Sequence, residues 1–184
     1  IKSYDNLLYI NCKFLVPSYP EKTFRNNVSL RSSCLYDIGS YIIDLFTYLD
    51  FNLSNFEILD YVIDNGYLER LSFKFKINNI TCFSEIGLDE KYKNEVILKT
   101  KDKKVISLTP FFFGREGIRK IKCNRKKTLL YEKNSFEKIF RLRSLGKFNQ
   151  IKTLNKMLLS SEYLDELANM LKKEINRSGI TKKV

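Results

Sequence analysis

The sequence contains no histidine. That absence removes imidazole from any catalytic or metal-binding role. With no C-x-x-C among the four cysteines, the common zinc clusters are excluded as well. Cys12, Cys34, Cys82 and Cys123 stand far apart in mainly apolar or strand-like runs. They read as buried thiols in a reducing compartment, and the expected location is cytoplasmic. The seven glycines, at positions 39, 66, 87, 114, 117, 146 and 179, never fall two apart, so there is no G-x-G-x-x-G. Without such a loop at a helix start, the chain by itself lacks the usual means of holding NAD(P), and no cofactor is expected in it. No stretch approaches the ~20 apolar residues of a membrane-spanning helix, so no membrane partner is expected. No secretory signal opens the chain: Ile1-Lys2-Ser3-Tyr4-Asp5 leads directly into a strand-like run. The only methionines are Met157 and Met170, and the expectation is a fragment, a processed product or one module of a longer polypeptide.

What is present is a chain of 184 residues with 43% hydrophobic content, enough for a real core. No internal repeat or low-complexity linker interrupts it. The expected organisation is one domain over residues 1–176, followed by a basic tail over 177–184. Charge is unevenly spread. Of the 33 basic and 21 acidic residues, nine and twelve fall in 1–92, a net of −3, which leaves +15 for 93–184. Such asymmetry raises nucleic acid or an anionic surface as partners, and it also suits a domain receiving an anionic nucleotide-sugar. The best nucleic-acid patch is Arg119-Lys120-Ile121-Lys122 with Arg125-Lys126-Lys127, near Phe111–Phe113. Runs of this kind are more often solvated strand edges, so nucleic acid is not the expected partner.

Periodicity places the elements. Leu7–Leu15 is rich in β-formers and ends at Pro17 and Pro20; residues 17–33 read as a polar loop. After a helix over 35–46, Asn52–Asn55 read as a turn and Phe56–Ile63 as a strand. Asp64-Asn65-Gly66 is a hairpin signal. Leu71, Phe73, Phe75 and Ile77 alternate strictly with Arg70, Ser72, Lys74 and Lys76, the mark of a half-buried antiparallel strand. Strands over 80–86, 95–99, 105–109, 118–123 and 128–131 follow. The period then turns helical over 135–146 and again from Ile151 to Ile175, with a break suggested at Ser160-Ser161. The expected fold class is α+β: an open, mainly antiparallel β-sheet with helices packed on one face.

The most informative stretch is Leu35–Phe46. Ile38, Ile42, Leu45 and Leu49 form an apolar stripe at helical spacing. Asp37, Tyr41, Asp44 and Tyr48 repeat that spacing one position earlier and form a polar, aromatic stripe. A carboxylate one turn from a phenol near a helix start could bind and protonate a sugar oxygen. The same residues could equally be a dipole-favoured acid and an amphipathic boundary tyrosine.

Asp37-Ile38-Gly39-Ser40-Tyr41 followed by Asp44 resembles the D-x-G-x-[HY]-x-x-D segment of the glucose–fructose oxidoreductase / inositol dehydrogenase (Gfo/Idh/MocA) family. Phe14-Leu15-Val16-Pro17 and Phe24-Arg25 resemble upstream segments of its sugar-processing branch. The resemblance implies the family's C-terminal substrate-binding domain, with Tyr41 as acid/base and Asp37 holding the substrate. It also implies substrate contacts from Arg25 and Asp44. The implied substrate is a sugar or nucleotide-sugar. NAD(P) and an assisting lysine would come from a Rossmann domain in the full-length chain, and the open sheet face would form a homodimer. The chain departs from the pattern where the family has a glycine triplet, here Arg31-Ser32-Ser33-Cys34, and at Asn26. Side chains there would hinder close approach of a ligand. The alternative is therefore a non-catalytic oxidoreductase-like module, fused to or partnering another sugar-nucleotide enzyme of surface polysaccharide synthesis.

Overall fold

The computed structural model describes residues 6–17, 33–64, 66–88, 91–112, 117–132 and 150–177. The described strands are β1 (Leu7–Leu15), β2 (Leu53–Asp64), β3 (Tyr67–Ile77), β4 (Ile80–Gly87), β5 (Lys93–Thr100), β6 (Val105–Thr109), β7 (Gly117–Cys123) and β8 (Lys126–Glu132). They form an eight-stranded open sheet in the order β2-β3-β4-β1-β5-β6-β7-β8. β1 lies between β4 and β5, parallel to the first and antiparallel to the second, and the remaining pairings are antiparallel. The central place of β1 carries no signal in the local sequence, because it is set by pairing partners distant along the chain.

Tight turns make the hairpins; Lys103 (φ 63°) takes the left-handed position between β5 and β6, and residues that tolerate it better take it in three others. Gly66 (φ 82°) joins β2 to β3, Asn78 (φ 54°) joins β3 to β4, and Asn124 (φ 51°) joins β7 to β8. Asn55 also has a positive φ of 54°, but it lies inside β2, where the register against β3 shifts between Ser54 and Glu57. The turn expected at Asn52–Asn55 is therefore a bulge within a strand that already begins at Leu53.

Helices cover one face. Leu35–Gly39 is a π-helical turn that continues into α1 (Ser40–Tyr48), and the long α2 (Gln150–Arg177) packs beside it. Beneath them lie Leu71, Phe73, Phe75 and Ile77 of β3, Cys82 and Ile86 of β4, and Ile10 and Cys12 of β1, all buried. Cys12, Cys34 and Cys82 are buried thiols, and burial, with Cys82 alongside, pushes the Cys12 thiol well above its ordinary pKa. The fourth, Cys123, is half-buried on β7.

Three expectations need correction. The buried face of this stretch is Ile38, Ile42, Ile43 and Phe46, and α1 ends at Tyr48, before Leu49. Leu49 is instead 50% exposed, at the mouth of an apolar cavity shared with Leu7, Leu98, Leu108 and Phe111. α2 does not break at Ser160-Ser161; it runs unbroken to Arg177, one residue into the expected tail. Its first turns also leave Leu154 and Leu158 exposed instead of facing the core. The expected helix over 135–146 and the tail beyond Arg177 lie outside the described residues.

Candidate active site

The π turn builds the candidate site. Two successive amides, those of Tyr36 and Asp37, bond to the Ser33 carbonyl at 3.1 Å, which tightens the entrance before the wider turn. Gly39 closes it with an ordinary helical φ of −65°, so backbone freedom is not its purpose. Space is: a Cβ there would lie 3.0 Å from Ile86 Cδ1 and 3.2 Å from Leu35 Cδ1, both of them buried side chains. The glycine lets this turn press onto β4, and the geometry of the residues that follow depends on that contact.

Asp37 lies half-buried in the π turn, and Tyr41 lies in the first turn of α1, 48% exposed. Tyr41 meets Phe14, at the end of β1, edge-on at 5.4 Å and 83°. Phe14 in turn stacks on Phe112 at 5.4 Å and 13°. Asp44 is half-buried one turn further along α1, where the Thr47 hydroxyl takes up its backbone carbonyl at 3.1 Å. The structure thus places Asp37, Tyr41 and Asp44 along one short segment and adds an aromatic wall from β1 and from the chain after β6. Arg25 and the first two residues of the Arg31–Cys34 departure lie outside the described residues. Cys34 turns inward and is buried, so its side chain does not project toward a ligand.

Sequence reasoning missed Asn94, Tyr92 and Phe112 as parts of this wall. From the sequence, Phe111–Phe113 stands out only as an aromatic run near a basic one. Phe112 is in fact buried, and Phe111 lines the apolar cavity under the helices. The basic run itself divides by strand alternation: Lys120 and Lys122 fall on the open face with Ile118, whereas Arg119 is buried on the other. Among the described residues, Phe111 and Phe112 therefore lie away from the open-face Lys120 and Lys122.

Tyr36, next to Asp37, does different work. Its hydroxyl donates to Asp165 on α2 at 3.1 Å, and its partial burial together with that carboxylate raises its pKa. It ties the π turn to α2.

The helix start does not fit a dinucleotide. A phosphate-binding start presents free amides after a glycine-rich loop. Here the entrance amides are spent on Ser33, and Gly39 is packed under Ile86. Among the described residues no three of Cys, Asp and Glu cluster as metal ligands, and no helix is long and apolar enough to cross a membrane.

No family model matches the sequence, and no curated protein sequence does. Solved structures match the fold. The aldose-aldose oxidoreductase from Caulobacter crescentus, complexed with glycerol, is 12% identical with a TM-score of 0.70, over 92% of this chain and 55% of that one. KijD10, a 3-ketoreductase from Actinomadura kijaniata in complex with NADP and TDP-benzene, is 13% identical with a TM-score of 0.64, over 87% and 52%. The dehydrogenase MviM from Clostridium difficile is 16% identical with a TM-score of 0.60, over 91% and 56%. This chain spans about half the length of each. Its fold is that of the corresponding part of the Gfo/Idh/MocA-type oxidoreductases.

Proposed function

We propose that the chain is the substrate-binding and dimerisation part of a Gfo/Idh/MocA-like NAD(P)-dependent oxidoreductase acting on a sugar or nucleotide-sugar. The observation that carries this is Tyr41: a half-exposed phenol held against Phe14, on the segment that also carries Asp37. Oxidation or reduction at a carbinol carbon requires a proton to leave or join its oxygen, and an acid/base must stand within hydrogen-bond reach. With no histidine in the chain, the phenol is the group suited to that proton. Asp37 accepts hydrogen bonds from substrate hydroxyls, with Asp44 and Arg25 as further contacts. The dinucleotide is assigned to a Rossmann domain, in the same polypeptide or in a partner, because the sequence has no G-x-G-x-x-G and the described helix start has its entrance amides on Ser33.

The test is binding to this chain. TDP- and UDP-hexoses, with free hexoses beside them, are expected to perturb the NMR signals of Asp37 and Tyr41. NAD(P) alone is expected to show no tight binding by calorimetry. Micromolar NAD(P) affinity would overturn the division of labour, and no perturbation at Tyr41 by any of these sugars would remove the substrate site. The second reading, a non-catalytic module, is favoured by the closed helix start. It predicts sugar binding without any turnover in the intact protein.

A further inference from the structure

Asn94 on β5 lies opposite Phe14 on β1 and is 2% exposed. Its side chain is fully used. Oδ1 accepts from the amides of Phe111 (2.8 Å) and Phe112 (2.7 Å), while Nδ2 donates to the Phe112 carbonyl (2.6 Å) and the Tyr92 hydroxyl (3.1 Å). A carboxamide has two donor hydrogens and two acceptor lone pairs, so nothing is left over. Three of these bonds go to the backbone just after β6, where the chain has left the ladder of the sheet. Asn94 supplies there the pairing that a neighbouring strand would otherwise give.

That pairing fixes Phe112, and Phe112 stacks on Phe14, whose ring makes a T-shaped contact with that of Tyr41. Tyr41 is half exposed, so its orientation depends on the few groups it does touch. We propose that Asn94 is a positioning residue that sets the ring of Tyr41 through Phe112 and Phe14. It touches no reacting atom in this arrangement. Its importance for turnover rests on the reading of Tyr41 as the acid/base. An apolar residue of similar size would fill the space but strand two buried amides and a carbonyl, so packing alone does not account for an asparagine here.

The experiment follows Tyr41 directly. In the chain labelled at tyrosine, the edge-to-face contact places Tyr41 ring protons in the ring-current field of Phe14. Asn94→Ala is expected to move those signals while the amides of β2, β3 and β4 stay in place. Asn94→Asp keeps an acceptor for the two amides and is expected to give a smaller displacement. In an intact protein with turnover, Asn94→Ala is expected to lower kcat by roughly tenfold to a hundredfold with KM little changed, as for a misplacement of about 1 Å. If Asn94→Ala fails to fold, Phe112→Leu breaks the stack without removing Asn94 and must displace the same Tyr41 signals. Unmoved Tyr41 signals in a folded Asn94→Ala or Phe112→Leu protein overturn the proposal, even if Tyr41→Phe abolishes turnover. Displaced signals together with full turnover in Tyr41→Phe support the positional link and remove the acid/base reading instead.

Discussion

The hydroxyls of Thr47 and Ser160 meet at 2.7 Å in the buried seam between α1 and α2. Thr47 also lies within bonding distance of the Ile43 and Asp44 carbonyls, at 3.3 and 3.1 Å. Small hydroxyl residues let the two helices approach, and each satisfies the other where water is excluded. Thr47→Val or Ser160→Ala alone is expected to cost about 1 kcal/mol. The double variant should cost less than the sum, because no hydroxyl is then left stranded. Denaturant melts arranged as a double-mutant cycle measure this, and simple additivity would mean that the contact contributes nothing.

Gly39→Ala pits two magnitudes against each other. Alanine gains up to about 1 kcal/mol over glycine in a helix. Overpacking against buried neighbours costs about 1–3 kcal/mol. Leu35 and Ile86, the side chains the new methyl would meet, are 1% and 0% exposed and have little room to yield. Overpacking should win, with a lower melting temperature. A stabilised Gly39→Ala protein would show that the turn can lift off β4.

What the sequence made legible follows from how local each signal is. Leu71, Phe73, Phe75 and Ile77 announce their strand because alternation is a property of adjacent residues, and all four are buried as expected. The hairpins at Gly66 and Asn78 are just as local. Ser160-Ser161 misled because serine lowers helix propensity by competing for local backbone groups, whereas the Ser160 hydroxyl is engaged by Thr47 from more than a hundred residues away. Asp37 and Tyr41 are singled out by motif and spacing alone, and their roles are proposals. Asn94 was invisible, since its role depends on β1 and β5 lying side by side and on the backbone after β6 coming to meet it. The π turn was missed for the same reason: it is stabilised by Gly39 packing on Ile86 of β4.

The open sheet face yields a prediction about assembly. The Leu71–Ile77 set is spent under the helices. The open face instead offers Tyr9 edge-on to Phe83 at 6.2 Å, with Lys99 over the Tyr9 ring at 5.4 Å. Around them run the ion pairs Lys13–Glu85 and Lys74–Glu57. An aromatic centre with a charged rim has the make-up of an interface. We expect a homodimer through this face, weakened at least tenfold by Phe83→Glu, which buries a charge at its centre. Sedimentation reads both, and a strictly monomeric wild-type chain at high concentration would end the idea.

Acid should reach the turn between β5 and β6 only well below pH 4. Lys104 beside Asp102, helped by Thr100 and Asn6, pulls its carboxyl from 3.8 down to about 2. The unfolded chain therefore takes up this proton more readily than the folded one. The contribution of Asp102 is present above about pH 4 and is lost as the pH falls toward 2. The group lies at the surface, so the effect is local. NMR titration should show the Thr100 and Lys104 amides moving with the Asp102 carboxyl around pH 2. In Asp102→Asn that transition should vanish, and its persistence would assign it to another carboxylate.

The last prediction concerns the proton itself. Tyr41→Phe keeps the ring and its contact with Phe14, and Tyr41 is exposed enough that its hydroxyl adds little to folding. Stability should stay nearly unchanged. In a polypeptide or complex that includes the cofactor domain, turnover on a sugar substrate should fall by roughly two to four orders of magnitude, the usual worth of a positioned acid/base. Asp37→Asn retains hydrogen-bonding atoms but loses the charge and should mainly raise KM, since it acts on binding. The two variants therefore separate along different kinetic axes. A purely structural role would lower the melting temperature and affect both constants together. Steady-state kinetics with thermal melts on the same samples distinguish these cases. Unchanged turnover in Tyr41→Phe would leave Tyr41 as a packing residue on the rim of Phe14, and the proton would have to come from outside this chain.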